Sequence, residues 1–189
     1  MIRFKPRLVY SRPDHDPSTM EHDRFSRLML PHMDAAYNFA RYLSRDTAAA
    51  EDVVQEAFLR AFRSINACRG NEKAWLFAIV RNCFHDWIRA NARGGEARLP
   101  AESGALDDGD NPEIIMLHRV AEQGLRAAVE ALPEPFREAL VLREFEEISY
   151  RDIAKLTGVP MGTVMSRLSR ARQMLADVML TDEEGATNI

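Results

Sequence analysis

The sequence is poor in the features that characterise secreted, membrane-embedded and β-rich proteins. Its 189 residues include only two cysteines, Cys68 and Cys83, which cannot form a disulfide framework and which lie in no zinc-binding motif. Aromatic residues make up 8% of the chain, and alternation of β-branched with polar residues is nearly absent. No apolar run reaches the roughly 20 residues that cross a bilayer, and basic residues and a proline within residues 3–7 interrupt any signal-peptide core. These absences predict a cytoplasmic protein with no membrane insertion, metal or cofactor.

The composition that is present belongs to a folded protein with no overall affinity for polyanions. Hydrophobic residues make up 46% and charged residues 29% of the chain, and the net charge is −4. A nucleic-acid site would therefore have to be a local basic face on an acidic body. No phosphate-binding loop, nucleophile elbow or metal-ligand spacing is present, so the sequence does not predict an enzyme.

Apolar residues recur at helical spacing along most of the chain, which predicts an all-α fold. We expect a first helix interrupted at Pro31, a second that begins near Asp46 or Thr47, and a third over about residues 73–92. The predicted buried stripe of the second helix consists of Val54, Phe58, Ala61, Phe62 and Ile65. That of the third consists of Leu76, Ile79, Val80, Cys83, Trp87 and Ile88.

A change of composition divides the chain. Residues 94–112, GGEARLPAESGALDDGDNP, are rich in glycine, proline and acid and have no periodicity, which predicts a flexible acidic linker. The expected organisation is two small helical domains flanked by polar tails, of which the last is expected to fray. The predicted segments are a tail at 1–23, a domain at 24–93, the linker at 94–112, a domain at 113–180 and a tail at 181–189.

A helix-turn-helix is predicted in the second half of the chain. Ser149 can cap a short helix, Gly158 can take a positive-φ turn, and Val164 can close a small core between two helices. Residues 149–176 contain five basic residues and one acidic residue, a local charge of +4. The face opposite the apolar stripe of the second helix carries Thr163, Ser166, Arg167, Ser169, Arg170 and Arg172. Such side chains read bases or bind phosphates in a major groove, although a solvated helical hairpin would share this pattern.

Several segments resemble a known family. GVPMGTVMSRLSRAR, preceded by LPEPFREALVLREFEEISYRDIA, resembles region 4 of bacterial RNA polymerase sigma factors. AEDVVQEAFLRAFRSI is similar to region 2.2, and KAWLFAIVRNCFHDWIRANAR is similar to regions 2.3 and 2.4. The resemblance covers about residues 24–93 and 114–178, and no third domain lies between them, which is typical of the two-domain extracytoplasmic-function (ECF, group 4) type of the sigma-70 family.

The resemblance implies an alternative sigma factor that binds core RNA polymerase, recognises −35 and −10 promoter elements and starts transcription, often under an anti-sigma factor. It implies that Asp52, Gln55 and Glu56 bind the clamp helices of the largest polymerase subunit, and that the polymerase flap is also a partner. Candidate contacts to the −10 strand are Arg81, Asn82, His85, Arg89 and Arg93. The six polar residues of the helix-turn-helix become candidate −35 contacts.

Alternatives remain open at this point. A stand-alone helix-turn-helix regulator would not need the Asp52–Glu56 patch, and a sigma-like decoy for an anti-sigma factor could lose its recognition arginines. The acidic linker could imitate nucleic acid near the RNA channel or could be a solvated spacer. Cys83 lies on a predicted buried stripe, whereas Cys68 could be exposed in the loop before the third helix, and neither is expected to act as a redox sensor. Trp75 is expected to pack rather than to stack on a base.

Overall fold

A computed structural model describes residues 17–94 and 123–186, which are almost entirely helical and contain no strand. The N-terminal helices are α1 (Pro17–Met29), α2 (Met33–Ser44), α3 (Thr47–Arg63) and α4 (Glu72–Gly94), with 3₁₀ turns at Leu30–His32 and Ile65–Ala67. The C-terminal helices are α5, described over 123–131, α6 (Glu134–Leu140), α7 (Tyr150–Thr157) and α8 (Met161–Ala186). A π-helical turn, Val141–Phe145, continues α6. We call α1–α4 the N-terminal bundle and α5–α8 the C-terminal bundle.

The expected start and stop signals lie at helix boundaries. Pro31 lies in the 3₁₀ turn that separates α1 from α2. Asp46 caps α3, because its carboxylate accepts a hydrogen bond of 2.7 Å from the backbone N–H of Ala49. α5 ends before Pro133, and α6 begins with a proline in its first turn.

The buried stripe of α3 is shifted by one position along the chain from the predicted one. The fully buried positions are Ala49, Ala50, Val53, Ala57 and Ala61. Val54, Phe58 and Phe62 are only half-buried, and the last two rings meet Phe25 of α1 edge-on at 6.1 and 5.2 Å between centroids. The prediction missed this because it followed the largest side chains, whereas the small alanines let α3 approach its neighbours closely.

The stripe of α4 is also rotated from the prediction. Phe77 is fully buried and stacks on Phe39 of α2 at 5.0 Å between ring centroids, and Phe84 is 3% exposed. Ile79 and Trp87 are only half-buried, and Ile88 is exposed. Phe77 and Phe84 are therefore the core residues of α4 that the prediction lacked.

Both predicted tails contain helix. α1 begins at Pro17, inside the tail predicted over 1–23, and α8 continues to Ala186, inside the tail predicted to fray after residue 180. Apart from Gly94, the last residue of α4, the predicted linker lies outside the described residues.

The two bundles pack against each other, and their buried apolar residues form one continuous cluster. The contact joins α2 and α4 of the N-terminal bundle to α6, its π-helical extension and α7 of the C-terminal bundle. Tyr42 and Phe145 meet across it at 5.4 Å between ring centroids. Within residues 17–94 and 123–186, no helix has the length and apolarity needed to cross a membrane.

Candidate nucleic-acid and polymerase interfaces

The helix-turn-helix is formed by α7, α8 and the turn between them. Ser149 caps α7, since its hydroxyl oxygen accepts a hydrogen bond of 3.1 Å from the backbone N–H of Asp152. Gly158 has φ 71°, a left-handed conformation that favours glycine and reverses the chain after one short helix. Ile153, Val164 and Leu168 are at most 1% exposed and hold the two helices together.

The outward face of α8 carries most of the polar residues predicted there. Arg170, Ser166 and Ser169 are exposed, whereas Thr163 and Arg167 are half-buried. Within the described residues, the guanidinium groups of Arg167 and Arg170 form no ion pair or hydrogen bond. These two arginines therefore remain available for an external anion.

Arg172 differs from the other arginines of α8. Its Nη2 lies 2.6 Å from Oε1 of Glu144, in the π-helical turn, and this hydrogen bond raises the pKa of Arg172. The side chain is 53% exposed, so the pair is accessible to solvent. A DNA phosphate would have to compete with Glu144 for this guanidinium.

Two large apolar side chains on α8 were not among the predicted contacts. Met161 and Met165 are 49% and 45% exposed and lie one turn apart near the start of the helix. The apolar pattern of the sequence assigns these methionines neither to the core nor to the surface, and their exposure makes them candidate contacts. A thioether on the groove side of a helix can contact the methyl group of thymine.

The predicted −10 residues of α4 do not share one environment. Asn82 is exposed, and His85 and Arg89 follow it at the i+3 and i+7 positions, so these three form a row on one face. Arg89 also lies 2.6 Å from Oδ1 of Asp86. The side chain of Arg93 lies outside the described residues.

Arg81 faces the C-terminal bundle instead of open solvent. Its Nε lies 2.5 Å from Oε1 of Glu138 on α6, and the two side chains are 21% and 4% exposed. The sequence could not suggest this pair, because its members are 57 residues apart and sit on different bundles. Arg81 is thus placed in an intramolecular contact that the prediction did not include.

The predicted polymerase-binding patch lies on α3. Asp52 and Gln55 are exposed, and Glu56 is half-buried. Glu56 accepts a hydrogen bond of 2.6 Å from Nε of Arg60, whose Nη1 lies 2.7 Å from Oδ2 of Asp86 on α4. Because Asp86 also contacts Arg89, a chain of alternating charges connects this patch to the −10 row.

These contacts favour the ionised forms of Asp86 and Arg60. Hydrogen bonds from the Arg60 guanidinium lower the pKa of the Asp86 carboxyl, and hydrogen bonds to Asp86 and Glu56 raise the pKa of Arg60. The Glu56–Arg60 pair follows helical i,i+4 spacing and could have been found from the sequence. The link to Asp86 joins two helices and needed the tertiary structure.

Both cysteines are inaccessible. Cys68 is 4% exposed and Cys83 is 3% exposed, so the expectation that Cys68 could be exposed is wrong. Burial raises the pKa of the Cys68 thiol and raises that of Cys83 to about 11. α1 covers the Cys68 loop, where Nη2 of Arg24 donates to the Cys68 carbonyl at 3.1 Å. Trp75 is half-buried and packs against the core. Within the described residues, no group of three or more His, Cys, Asp or Glu side chains is suited to a metal ion.

Comparisons with known proteins match both bundles. The family model for sigma-70 region 2 matches residues 28–94, and the model for sigma-70 region 4 matches residues 122–175. The RNA polymerase sigma-H factor of Pseudomonas aeruginosa is 35% identical over 161 residues, which cover 80% of this chain and 83% of that protein. The chain belongs to the ECF group of the sigma-70 family.

Other members of the family agree with this assignment. The ECF sigma factor SigE of Mycolicibacterium smegmatis is 38% identical over 157 residues, which cover 82% of this sigma factor but only 61% of that relative. The sigma factor RpoE of Bartonella quintana, solved in complex with the anti-sigma factor NepR, has a TM-score of 0.68 and 31% identity. That match covers 84% of this sigma factor and 98% of the solved chain.

Proposed function

We propose that this protein is an alternative sigma factor that binds core RNA polymerase and directs it to promoters with particular −35 and −10 elements. The observation that carries the proposal is the presence of both sigma-70 regions in one chain, in which region 4 carries exposed arginines on α8. Like other sigma factors it would lack catalytic activity of its own and would act in the cytoplasm.

The roles follow from the chemistry of each surface. α8 would enter the major groove of the −35 element, where Arg170 and Ser166 can reach base edges or phosphates. The row of Asn82, His85 and Arg89 would hold the melted −10 strand, since an amide can bond a base edge and a guanidinium can follow the backbone. The domains would be those expected at 24–93 and 113–180, joined by the linker at 94–112.

The patch of Asp52, Gln55 and Glu56 would bind the clamp helices of the polymerase. Two of its three side chains are exposed, and their carboxylate and amide oxygens complement basic groups on a partner helix. An anti-sigma factor would regulate the protein. This part of the proposal is supported by the likeness to a sigma factor that was solved with such a partner.

The test is reconstitution with core polymerase on a promoter library, followed by sequencing of the transcript starts. The sigma factor should give starts downstream of a shared pair of elements, whereas core polymerase alone should give none. The net charge of −4 opposes non-specific DNA affinity, so the chain without polymerase should bind promoter duplex weakly. Tight and specific binding without polymerase would instead identify a stand-alone regulator.

The polymerase contact can be tested by replacing Asp52, Gln55 and Glu56 with alanine. Helical content and melting should change little, because surface positions contribute little to stability, whereas competition for core polymerase should weaken sharply. The control is Asp34→Ala with Asn38→Ala, two exposed positions on α2. Equal competition by both variants would exclude this patch from the polymerase interface.

A further inference from the structure

The N-terminal bundle has a strip of donors that the C-terminal bundle covers with carboxylates. The donors lie just before α4 and along its first three turns, on the side that faces α6 and α7. The three pairs are Asn71 Nδ2 with Asp152 Oδ2 at 3.2 Å, Lys73 Nζ with Glu146 Oε2 at 2.9 Å, and Arg81 Nε with Glu138 Oε1 at 2.5 Å. Each donor of the strip therefore faces one acidic residue of the other bundle.

Two of the carboxylates are deeply buried in the packed arrangement of the two bundles. The side chains of Glu138 and Glu146 are 4% and 7% exposed, while those of their partners Arg81 and Lys73 keep 21% and 28% exposure. A buried carboxylate needs charged or hydrogen-bonded partners, because desolvation otherwise opposes its ionised form. The N-terminal bundle supplies those partners, so these acids are committed to the packed arrangement of the two bundles.

Donors of this kind bind phosphates as readily as carboxylates. Lysine and arginine form charge-assisted hydrogen bonds with either anion, and contacts to the backbone of a nucleic acid carry no sequence information. Arg81 lies four residues, about one turn, before His85 of the row on α4, so the covered strip continues a surface that already suits a DNA strand.

We propose that Glu138, Glu146 and Asp152 imitate the phosphates of the promoter strand. In the closed arrangement they occupy the strip of Asn71, Lys73 and Arg81, and when the bundles separate these donors pass to the backbone of the melted −10 strand. This inference rests on the proposed function and adds two DNA contacts, Asn71 and Lys73. The proposal also predicts that the chain without polymerase binds single-stranded DNA weakly.

The same junction contains buried arginines. Arg45 and Arg137 donate hydrogen bonds across it to the carbonyls of Leu132 and Leu43, at 3.1 and 3.3 Å. Within the described residues, Nη1 of Arg41 and the Nε atoms of Arg45 and Arg137 are buried without a hydrogen-bond acceptor. Burial, followed by the nearby charge of Arg45, lowers the pKa of Arg137 to about 10. These unsatisfied donors offset part of the stability that the cross-junction hydrogen bonds provide, because they regain hydrogen bonds to water when the junction opens.

The experiment measures binding of the full-length chain to a fluorescein-labelled single-stranded DNA of mixed sequence, by anisotropy at fixed salt. Glu138→Gln with Glu146→Gln keeps the shape of both side chains and removes their charge. We expect this double variant to bind at least tenfold more tightly than the unchanged chain. Adding Arg81→Gln and Lys73→Gln to it should remove the gain.

A matched control separates the strip from net charge. Glu147→Gln removes one negative charge at an exposed position of the same bundle, and Asp34→Gln added to it matches the charge of the double variant. We expect this control pair to change affinity less than threefold. If the double variant gains no more than the control pair, the phosphate-mimic proposal is wrong.

A distance measurement completes the test. Spin labels on exposed residues of the two bundles, such as Asn38 and Arg151, should give a narrow distance distribution in the unchanged chain and a broader, longer one in the double variant. Separated bundles in the unchanged chain would overturn the proposal. Promoter initiation by the unchanged holoenzyme is measured independently. Its absence would refute the proposed function, whereas the single-strand binding result would still test whether the carboxylates imitate phosphates.

Discussion

The two bundles present their candidate DNA-contacting side chains in opposite ways. On α4 of the N-terminal bundle, Arg81 and Arg89 are already paired with Glu138 and Asp86. On α8 of the C-terminal bundle, Arg170 is exposed and has no partner within the described residues. With the proposed roles, the −35 surface would be accessible in the closed chain, while the −10 surface would be complete only after the bundles rearrange.

The largest expected effect tests whether the bundles unfold as one unit. Phe77→Ala removes a fully buried ring that stacks on Phe39, and it should lower the free energy of unfolding by about 3–5 kcal/mol. Because the buried residues of both bundles form one cluster, tryptophan fluorescence and far-UV circular dichroism should lose signal together in urea.

The two signals distinguish unfolding of one bundle from unfolding of both. Fluorescence reports on the N-terminal bundle, which contains both tryptophans of the chain, Trp75 and Trp87, whereas far-UV dichroism reports on all helices. Leu59→Ala, at a position that is 46% exposed, serves as the control and should have a small effect. Fluorescence that shifts while part of the dichroism transition stays in place would show that the C-terminal bundle unfolds separately.

A second prediction compares two arginines of α8. Arg170→Ala should weaken holoenzyme binding by about 1–3 kcal/mol and relax the preference at one −35 position if Arg170 reads a base. If Arg170 binds a phosphate, binding to all promoters should weaken alike. The slope of the logarithm of the binding constant against the logarithm of salt concentration should then fall in magnitude by about one. Arg172→Ala should cost less, since Glu144 already holds that side chain.

Binding to single-base −35 variants at several salt concentrations distinguishes these outcomes. Glu144→Gln is the companion variant, because it releases Arg172 and should make the effect of Arg172→Ala larger. Equal losses for Arg170→Ala and Arg172→Ala in the unchanged background would contradict the difference drawn between them.

A third prediction concerns the exposed amide of α4. Asn82→Ala should reduce the rate of open-complex formation more than closed-complex binding, because in its proposed role the side chain would meet a base only after melting. The loss of one hydrogen bond is about 1 kcal/mol. The same variant is then tested on a template whose −10 region is already melted. A defect that persists and depends on the identity of the −10 base indicates that Asn82 reads this base, whereas a defect that shrinks indicates that Asn82 helps to melt the duplex. Unchanged preference and opening would remove Asn82 from the site.

The smallest expected effect tests the exposed methionines. If Met165 contacts a thymine methyl group, replacing one −35 thymine by deoxyuracil should cost the holoenzyme up to about 0.8 kcal/mol. The same replacement should cost Met165→Ala less. A deoxyuracil scan by competition binding gives both numbers, and equal sensitivity in the two proteins at every position would show that Met165 does not read the methyl group.

Local patterns were enough for the helices and for the polar, outward face of α8. Asp46, Pro31, Ser149 and Gly158 lie where caps and turns were expected, because capping and turn geometry depend on a few adjacent residues. The exposed face of α8 was predictable for the same reason, since a helix repeats its environment every 3.6 residues. The rotated stripes of α3 and α4 were not, because side-chain size does not indicate how closely two helices approach.

The sequence by itself determined that this is an all-α protein of two helical units with an arginine-bearing helix-turn-helix, because those properties follow from periodicity, capping and local charge. The tertiary structure decided which of the predicted contacts are accessible. Glu138 and Glu146 lie far from Arg81 and Lys73 in the chain, and ion pairing depends on distance in space, so only the packing of the bundles could bring these charges together.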